Sequence, residues 1–577
     1  MKLIQFFIVT FALMVGQSAF AAMPPMGPMP ELLQRQQQQQ MDDEFRQQRI
    51  QDMERRSPFR TGVVQTDERE DAAARPSGNC VQINQVIFDG NTKISDRAIR
   101  RIIGRYQNRC LFIEEINTLL NDITNLYLER GYATSRAYME MPQTRLRDGI
   151  LEIRIVEGII GRIEGLPTGE HVTAFPNLHG KVLNIRDIEQ GLDQINRLGS
   201  NRASMDVRAV PDVEATSVID IKNERGGRTQ MAATMDNYGM DMTGQWRAGL
   251  RVTQDNLLGL NDQVNVMLNH TADGNFDHRN ARSAMVGVSV PFGYWTLNNT
   301  FAYSDFVTSF AMPISGDRFY TEGNAVTNTI SLDRIIARGR TYKLSATGGL
   351  TYRDNENFMR VYDLVLRNDM SSRALTVINF DLPLTLYFPR GMLFARPSVH
   401  RGLNMFGAHN DRDPNNAIYT QQAQYTALKF FASAQTQFKY FTLSATFDSQ
   451  YSRDELFATE GFFLGGESSV RGFRNDGTMG DSGFSIRNDI TLNLAQIFKS
   501  NNVWLRRFSP GVFADYGMIF PNSPWRENGT MAGAGARLGF RYWMIDASAS
   551  YAQVLAKEDW MTENYNLYFF AGLTGRF

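Results

Sequence analysis

Two hydrophobic rhythms divide this chain. Between residues 80 and 226, helical and strand periods take turns over short stretches. From 228 to 577 the helical period vanishes and apolar and polar positions alternate one by one. Trp246, Ala248, Leu250 and Val252 share one face there, and Arg247, Gly249, Arg251 and Thr253 share the other. Phe441, Leu443, Ala445, Phe447 and Tyr451 alternate with Thr442, Ser444, Thr446, Asp448 and Gln450. Ile545, Ala547, Ala549 and Tyr551 oppose Asp546, Ser548 and Ser550. Segments of about ten residues, apolar on one face only, predict a transmembrane antiparallel β-barrel. A large soluble β-protein would alternate too, but here the apolar face is often small or aromatic, which suits lipid and its interfaces. At roughly 22 residues per strand and connection, this region predicts about 16 strands.

The mixed region predicts two small domains, at residues 80–157 and 158–226. In the first, Val81 to Phe88 reads as one strand closed by the turn Asp89-Gly90-Asn91. A helix follows through Ile99, Ile102 and Ile103, capped by Ser95 or Asp96. A second helix, Ile113 to Arg130, carries Ile116, Leu119, Leu120, Ile123 and Tyr127 on one face and ends at Gly131. Strands Thr134 to Met141 and Leu151 to Glu157 complete a β-α-α-β-β order. In the second domain, Ile159 to Ile163 opens the unit and Ile185 to Leu198 is the clear helix. Val207 to Val210 and Val218 to Ile221 are its late strands.

The first residues read as an address. Lys2, the apolar run Leu3 to Val15 and Ala19-Phe20-Ala21 predict a signal peptide over residues 1–21. Segment 22–56 follows, then a linker at 57–79 and a last domain at 227–577. Glu31 to Arg56 lacks Gly and Pro and is rich in helix formers. Its stripe is only Leu33, Met41 and Phe45, so a helix here belongs in water or in a water-filled protein cavity. A disordered polar tail is the other reading. In an exported chain, Cys80 and Cys110 are most simply a disulfide.

Charge and composition remove whole classes. With 60 Lys+Arg against 61 Asp+Glu the net charge is -1, which argues against nucleic acid as a partner. A mean hydropathy of -0.33 excludes a bundle of membrane helices. No nucleophile–base pair or metal spacing stands out, and His270 and His278 read as loop or wall histidines. No enzyme activity, cofactor or metal is expected.

Residues 455–483 break the alternation with a long Gly-rich loop holding Gly465-Gly466-Glu467-Ser468-Ser469-Val470-Arg471-Gly472-Phe473. The motif Val470-Arg471-Gly472-Phe473 resembles the Val-Arg-Gly-Tyr/Phe loop of a superfamily that assembles or exports proteins across outer membranes. The resemblance implies that the loop folds into the lumen, supported by Gly465, Gly466 and Glu467. It also implies that Arg471 pairs with the Asp of a Phe-x-Asp pattern, matched here by Phe513-Ala514-Asp515. Alternation independently sets Asp515 opposite Ala514 and Tyr516. Such a pair is either a fixed clamp or a moving latch. The chain ends on Phe577, preceded at every second position by Gly575, Leu573, Ala571, Phe569 and Leu567. That strand resembles the signal by which outer-membrane barrels are recognised by the barrel assembly machinery.

Phe88-Asp89-Gly90-Asn91, Gly131-Tyr132 before Thr134-Ser135-Arg136, and Gly149-Ile150-Leu151 through Val156-Glu157-Gly158 make the small domains resemble POTRA units. The whole mature chain is similar to two-partner secretion transporters, the TpsB family. The resemblance implies a 16-stranded barrel in outer-membrane lipid, two periplasmic POTRA-like domains and an N-terminal plug helix. It implies export, without nucleotide hydrolysis, of a large exoprotein bearing an N-terminal secretion domain: an adhesin, a haemolysin or an inhibition toxin. An assembly factor that inserts other barrels is the alternative. A passive porin would need neither the POTRA units nor the Arg471 loop.

Overall fold

The structure, a computed structural model, describes residues 32–42, 46 and 80–577, apart from 212, 275–277, 312–317, 340, 362–363, 369–370, 417–418 and 524–527. The expected signal peptide, the linker and Phe45 lie outside the described residues.

In the first small domain the stretch read as one strand is two. Asn84 and Gln85 both donate their amides to the Gly149 carbonyl, at 2.8 and 3.1 Å, and the chain turns there. Val81–Ile83 then pairs with Arg109–Leu111, a strand the sequence reading missed. Gln85–Asp89 pairs in parallel with Ile150–Val156, whose other edge takes Arg136–Met139. Helices Asp96–Ile103 and Ile113–Glu129 bury Ile99, Ile116, Leu119 and Ile123 against this sheet. Cys80 and Cys110 are disulfide-bonded, tying the domain's entry to the segment between its helices.

Glu157, where this domain ends, is a buckle. Its carboxylate accepts from the Thr92 amide at 2.7 Å, the Lys93 amide at 2.9 Å and the Tyr127 hydroxyl at 2.8 Å, and also from the Thr92 hydroxyl. Partial burial disfavours the charge, but these donors outweigh it and hold the group below the ordinary carboxylate range. The buckle's stability is therefore present above the unfolded value of about 4.3 and is lost as pH falls through the lower folded value. Glu157→Gln sets an amide against these donors and is expected to cost about 1 kcal/mol at neutral pH. Faster hydrogen exchange at the Thr92 and Lys93 amides, with the gap to wild type closing in acid, is the expected reading. Equal protection at pH 7 would count against it.

The second domain forms a sheet from Ile159–Glu164, Thr216–Arg225 and Asn201–Ala209, in that order. Helix Ile185–Asn196 packs Ile188 and Ile195 onto it. Thr168–Ala174 is a further helix, too short and too polar to leave a periodic trace in the sequence. The two domains are fastened at Gly131, whose carbonyl accepts from the Ile185 amide at 2.8 Å.

Eighteen strand segments among the described residues close into one barrel. Leu364–Arg367, Arg373–Asp381 and Leu384–Phe388 share one lane beside Tyr342–Val361, leaving sixteen lanes. Pro383, which has no N–H, interrupts that lane. Side chains follow the alternation: Leu250, Val512, Tyr516 and Leu573 are exposed on the outer wall, whereas Thr253, Asp255 and Asp515 are buried inward. The last strand, Tyr565–Arg576, pairs with the first, Thr229–Asp236, from Phe570↔Asp236 to Arg576↔Gln230. Phe577 extends this seam by exchanging both backbone bonds with Thr229, at 2.7 and 3.0 Å.

The second small domain is bonded to one end of the barrel. Asp255, fully buried, accepts from the Ser200 amide and from Arg576, each at 2.9 Å. Gln190 and Gln194 donate to the Gly293 carbonyl at 3.0 and 2.9 Å.

Candidate functional site

The chain between strands Phe441–Ser452 and Ser482–Leu492 turns into the barrel instead of standing above it. It is not structureless, contrary to the sequence reading. Phe462–Leu464 and Thr478–Gly480 form a small hairpin, and this local pairing satisfies backbone groups that burial removes from water. Between its arms, Gly465, Gly466 and Gly472 have positive φ, which glycine adopts without penalty. Ser469 closes the bend by accepting from the Gly465 amide at 2.7 Å and donating to its carbonyl at 2.8 Å. Val470 and Phe473 anchor the tip in an apolar cluster with Phe462, Leu464, Ile519 and Met531.

Arg471 is 1% exposed and meets two carboxylates from adjacent wall strands. It donates to Asp515 from Nε at 2.6 Å, from Nη2 at 2.7 Å and from its backbone amide at 3.1 Å. It donates to Asp489 from Nη1 at 2.8 Å and Nη2 at 3.2 Å. Its guanidinium also lies 3.6 Å from the Phe513 ring centroid. Both carboxylates are bound bidentately, which fixes direction as well as distance. Glu467 reaches the wall through Arg487 at 3.2 Å. Gly472 donates to the Tyr568 hydroxyl at 3.1 Å and accepts from Asn566 at 2.7 Å.

The tip is fastened again at the end of the barrel away from the small domains. Asp476 accepts from the Thr562 and Glu563 amides at 2.5 and 2.6 Å, and Glu563 accepts from the Asn475 and Asp476 amides at 2.9 and 3.1 Å. Its root holds a second ion cluster. Glu460 pairs with Arg353 and accepts from the Tyr425 hydroxyl at 2.6 Å.

The helix at residues 32–42 lies inside the same barrel. Leu32 and Leu33 pack with Met240, Phe306, Phe463 and Met479, and Met41 with Met267, Met285 and Ala302. Its polar faces find polar partners in the wall. Gln34 donates to Asn357 at 3.2 Å, and Arg46, just beyond, pairs with Asp448 at 2.7 Å. Arg35 donates to the Gly461 carbonyl at 2.9 Å, joining helix to loop.

Of the residues expected from sequence, Val470, Arg471, Gly472, Phe473 and Asp515 converge here, with Gly465, Gly466 and Glu467 in the loop behind them. Phe577 lies at the seam and Cys80 and Cys110 in the first small domain, both away from this cluster. Asp489, Asn566 and Tyr568 were missed. Phe484, Ile486, Ile490 and Leu492 alternate with Ser485, Arg487, Asp489 and Thr491, so the period of two did place Asp489 on the inner face.

Comparison with known proteins bears on the fold that holds this site. The family model described as haemolysin secretion/activation protein ShlB/FhaC/HecB matches residues 215–542. A POTRA domain of the ShlB type matches 81–158, and a further POTRA domain matches 161–209. The outer membrane transporter CdiB of Dickeya dadantii is 30% identical over 516 residues, covering 86% of each chain. The hemolysin transporter protein ShlB of Serratia marcescens is 29% identical over 488 residues, 83% of each. The solved structure of CdiB from Escherichia coli superposes with a TM-score of 0.81 at 27% identity, covering 96% of this chain and 100% of that one. This chain therefore belongs to the haemolysin secretion/activation protein ShlB/FhaC/HecB family, as an outer-membrane barrel with two periplasmic POTRA domains.

Proposed function

We propose that this chain exports one large partner protein from the periplasm to the cell surface, through its own lumen and without nucleotide hydrolysis. The closed seam carries this reading. Every residue from Thr229 to Asp236 is paired or bonded to the last strand or its end, apart from side-chain contacts, so the wall offers no gap and the lumen is the remaining route. An insertase that passes strands sideways would gain from a weak seam. Relatives named as outer membrane and hemolysin transporters support the same class.

The edge strands Arg136–Met139 and Asn201–Ala209 pair with another strand on one side only, and beyond the bonds of Thr124 to Ala137 and Asn196 to Ala203 they suit capture of an extended segment by strand addition. Such capture gives affinity with weak demands on sequence, as an unfolded N-terminal secretion domain of an adhesin, haemolysin or inhibition toxin requires. The helix at 32–42 is the resting plug, and its departure opens the lumen. The Arg471–Asp515 pair holds the loop in place during passage, and Phe577 serves recognition by the barrel assembly machinery. Folding of the partner outside draws it through.

Quantitative mass spectrometry of medium, surface and outer membrane, with and without this chain, tests the proposal. Loss of one large external protein with other barrels unchanged is expected. General depletion of outer-membrane barrels would establish the insertase instead.

A further inference from the structure

At the periplasmic end, residues 493–507 join two wall strands through a turn longer than the others described at that end. The segment has three cations, Lys499, Arg506 and Arg507, and no acidic residue. Its apolar side chains are unusually open: Phe498 is 63% exposed, Val503 58% and Trp504 58%, beside Trp543 at 85% in the next turn.

The direction of this surface is fixed by its contacts. Tyr542 projects from the outer wall, on the face that carries Leu538 and Phe540. Trp504 stacks on Tyr542 with centroids 6.5 Å apart, and Arg507 lies 3.8 Å over the same ring. The turn is thus folded outward against the lipid-facing wall and not beneath the lumen. On its other flank the Asn493 amide donates to the Tyr440 carbonyl at 2.8 Å, bringing Lys439 into line.

Aromatic side chains at the membrane–water boundary, cations beside them and no acidic group within the segment match the phosphate layer of a bilayer. A client passing to the lumen would meet the opposite side of this wall. We propose that residues 493–507, with Trp543 and Lys439, form an interfacial foot that docks on anionic phospholipid headgroups of the periplasmic leaflet. The foot sits under the strands bearing Asp489 and Asp515, so it sets the depth at which that wall stands in the membrane. The inference rests on the outer-membrane location and is independent of what the chain exports.

The full chain with Phe498→Cys, its natural cysteines already bonded to each other, is labelled with an environment-sensitive fluorophore and reconstituted in phosphatidylethanolamine/phosphatidylglycerol vesicles. A headgroup-level lipid quencher is expected to remove about half of the emission, and aqueous iodide to quench about fivefold less than at Asp559→Cys in an outer turn. The double variant K499Q/R506Q leaves the Arg507 stack intact. It should erase the difference between vesicles with and without phosphatidylglycerol. Val503→Cys carries the same expectations if Phe498→Cys does not fold. Iodide access equal to that at position 559 would overturn the proposal. Shielding that appears only on adding an unfolded β-rich polypeptide would also overturn it, and would mark a client surface instead.

Discussion

Asp515→Ala is expected to cut export at least about tenfold while the barrel reaches the outer membrane at normal levels. Asp515 is buried and accepts three bonds from Arg471, including the backbone amide that fixes the loop's path. Its removal leaves a buried guanidinium short of a partner, a change worth about 3 kcal/mol or more. Asp489 offsets only part of this, because its side chain is 29% exposed and water already shares its charge. Asp489→Ala should therefore weaken export less than Asp515→Ala does. Immunoblots of the exported partner and of the barrel, with both variants side by side, decide the matter. Equal effects of the two variants, or unchanged export with normal barrel levels, would refute the clamp.

Gly533→Val is expected to reproduce the Asp515→Ala defect without touching a charge. Gly533 stands directly opposite Asp515 in the neighbouring strand. A Cβ added there would lie 2.0 Å from the Arg471 carbonyl oxygen, in a wall strand whose backbone cannot retreat. The loop must lift, and the Arg471–Asp515 bonds lengthen together. Gly539→Ala in the same strand meets the Ser509 hydroxyl, which can rotate away, and should export normally. Protease accessibility of the loop in intact cells gives a second reading. A loop equally protected in Gly533→Val and wild type would argue against displacement.

Arg471 and Asp515 were legible because two local signals met. A short motif marked the arginine, and the period of two put the aspartate on the inner face. Asp489 had the same periodic signal but no motif to single it out. Gly533 carried no signal, since its value lies in the loop backbone packed directly against it. The helix at 32–42 was legible as a helix polar on nearly every side. That Arg35 bonds Gly461, 426 residues away, was not. The hairpin inside the Arg471 loop was hidden because three-residue strands are too short to show alternation.

The sequence by itself determined the long, periodic elements and which face each wall residue takes. Strand alternation is a property of neighbouring residues and needs no knowledge of the rest of the chain. Closure of the barrel decided the rest. It set the register that places Asp515 opposite Gly533, and it folded helix and loop into one lumen, where charges distant in sequence lost water and had to find each other. Pairing across a closed wall depends on every strand at once, and that is why only the tertiary structure could supply it.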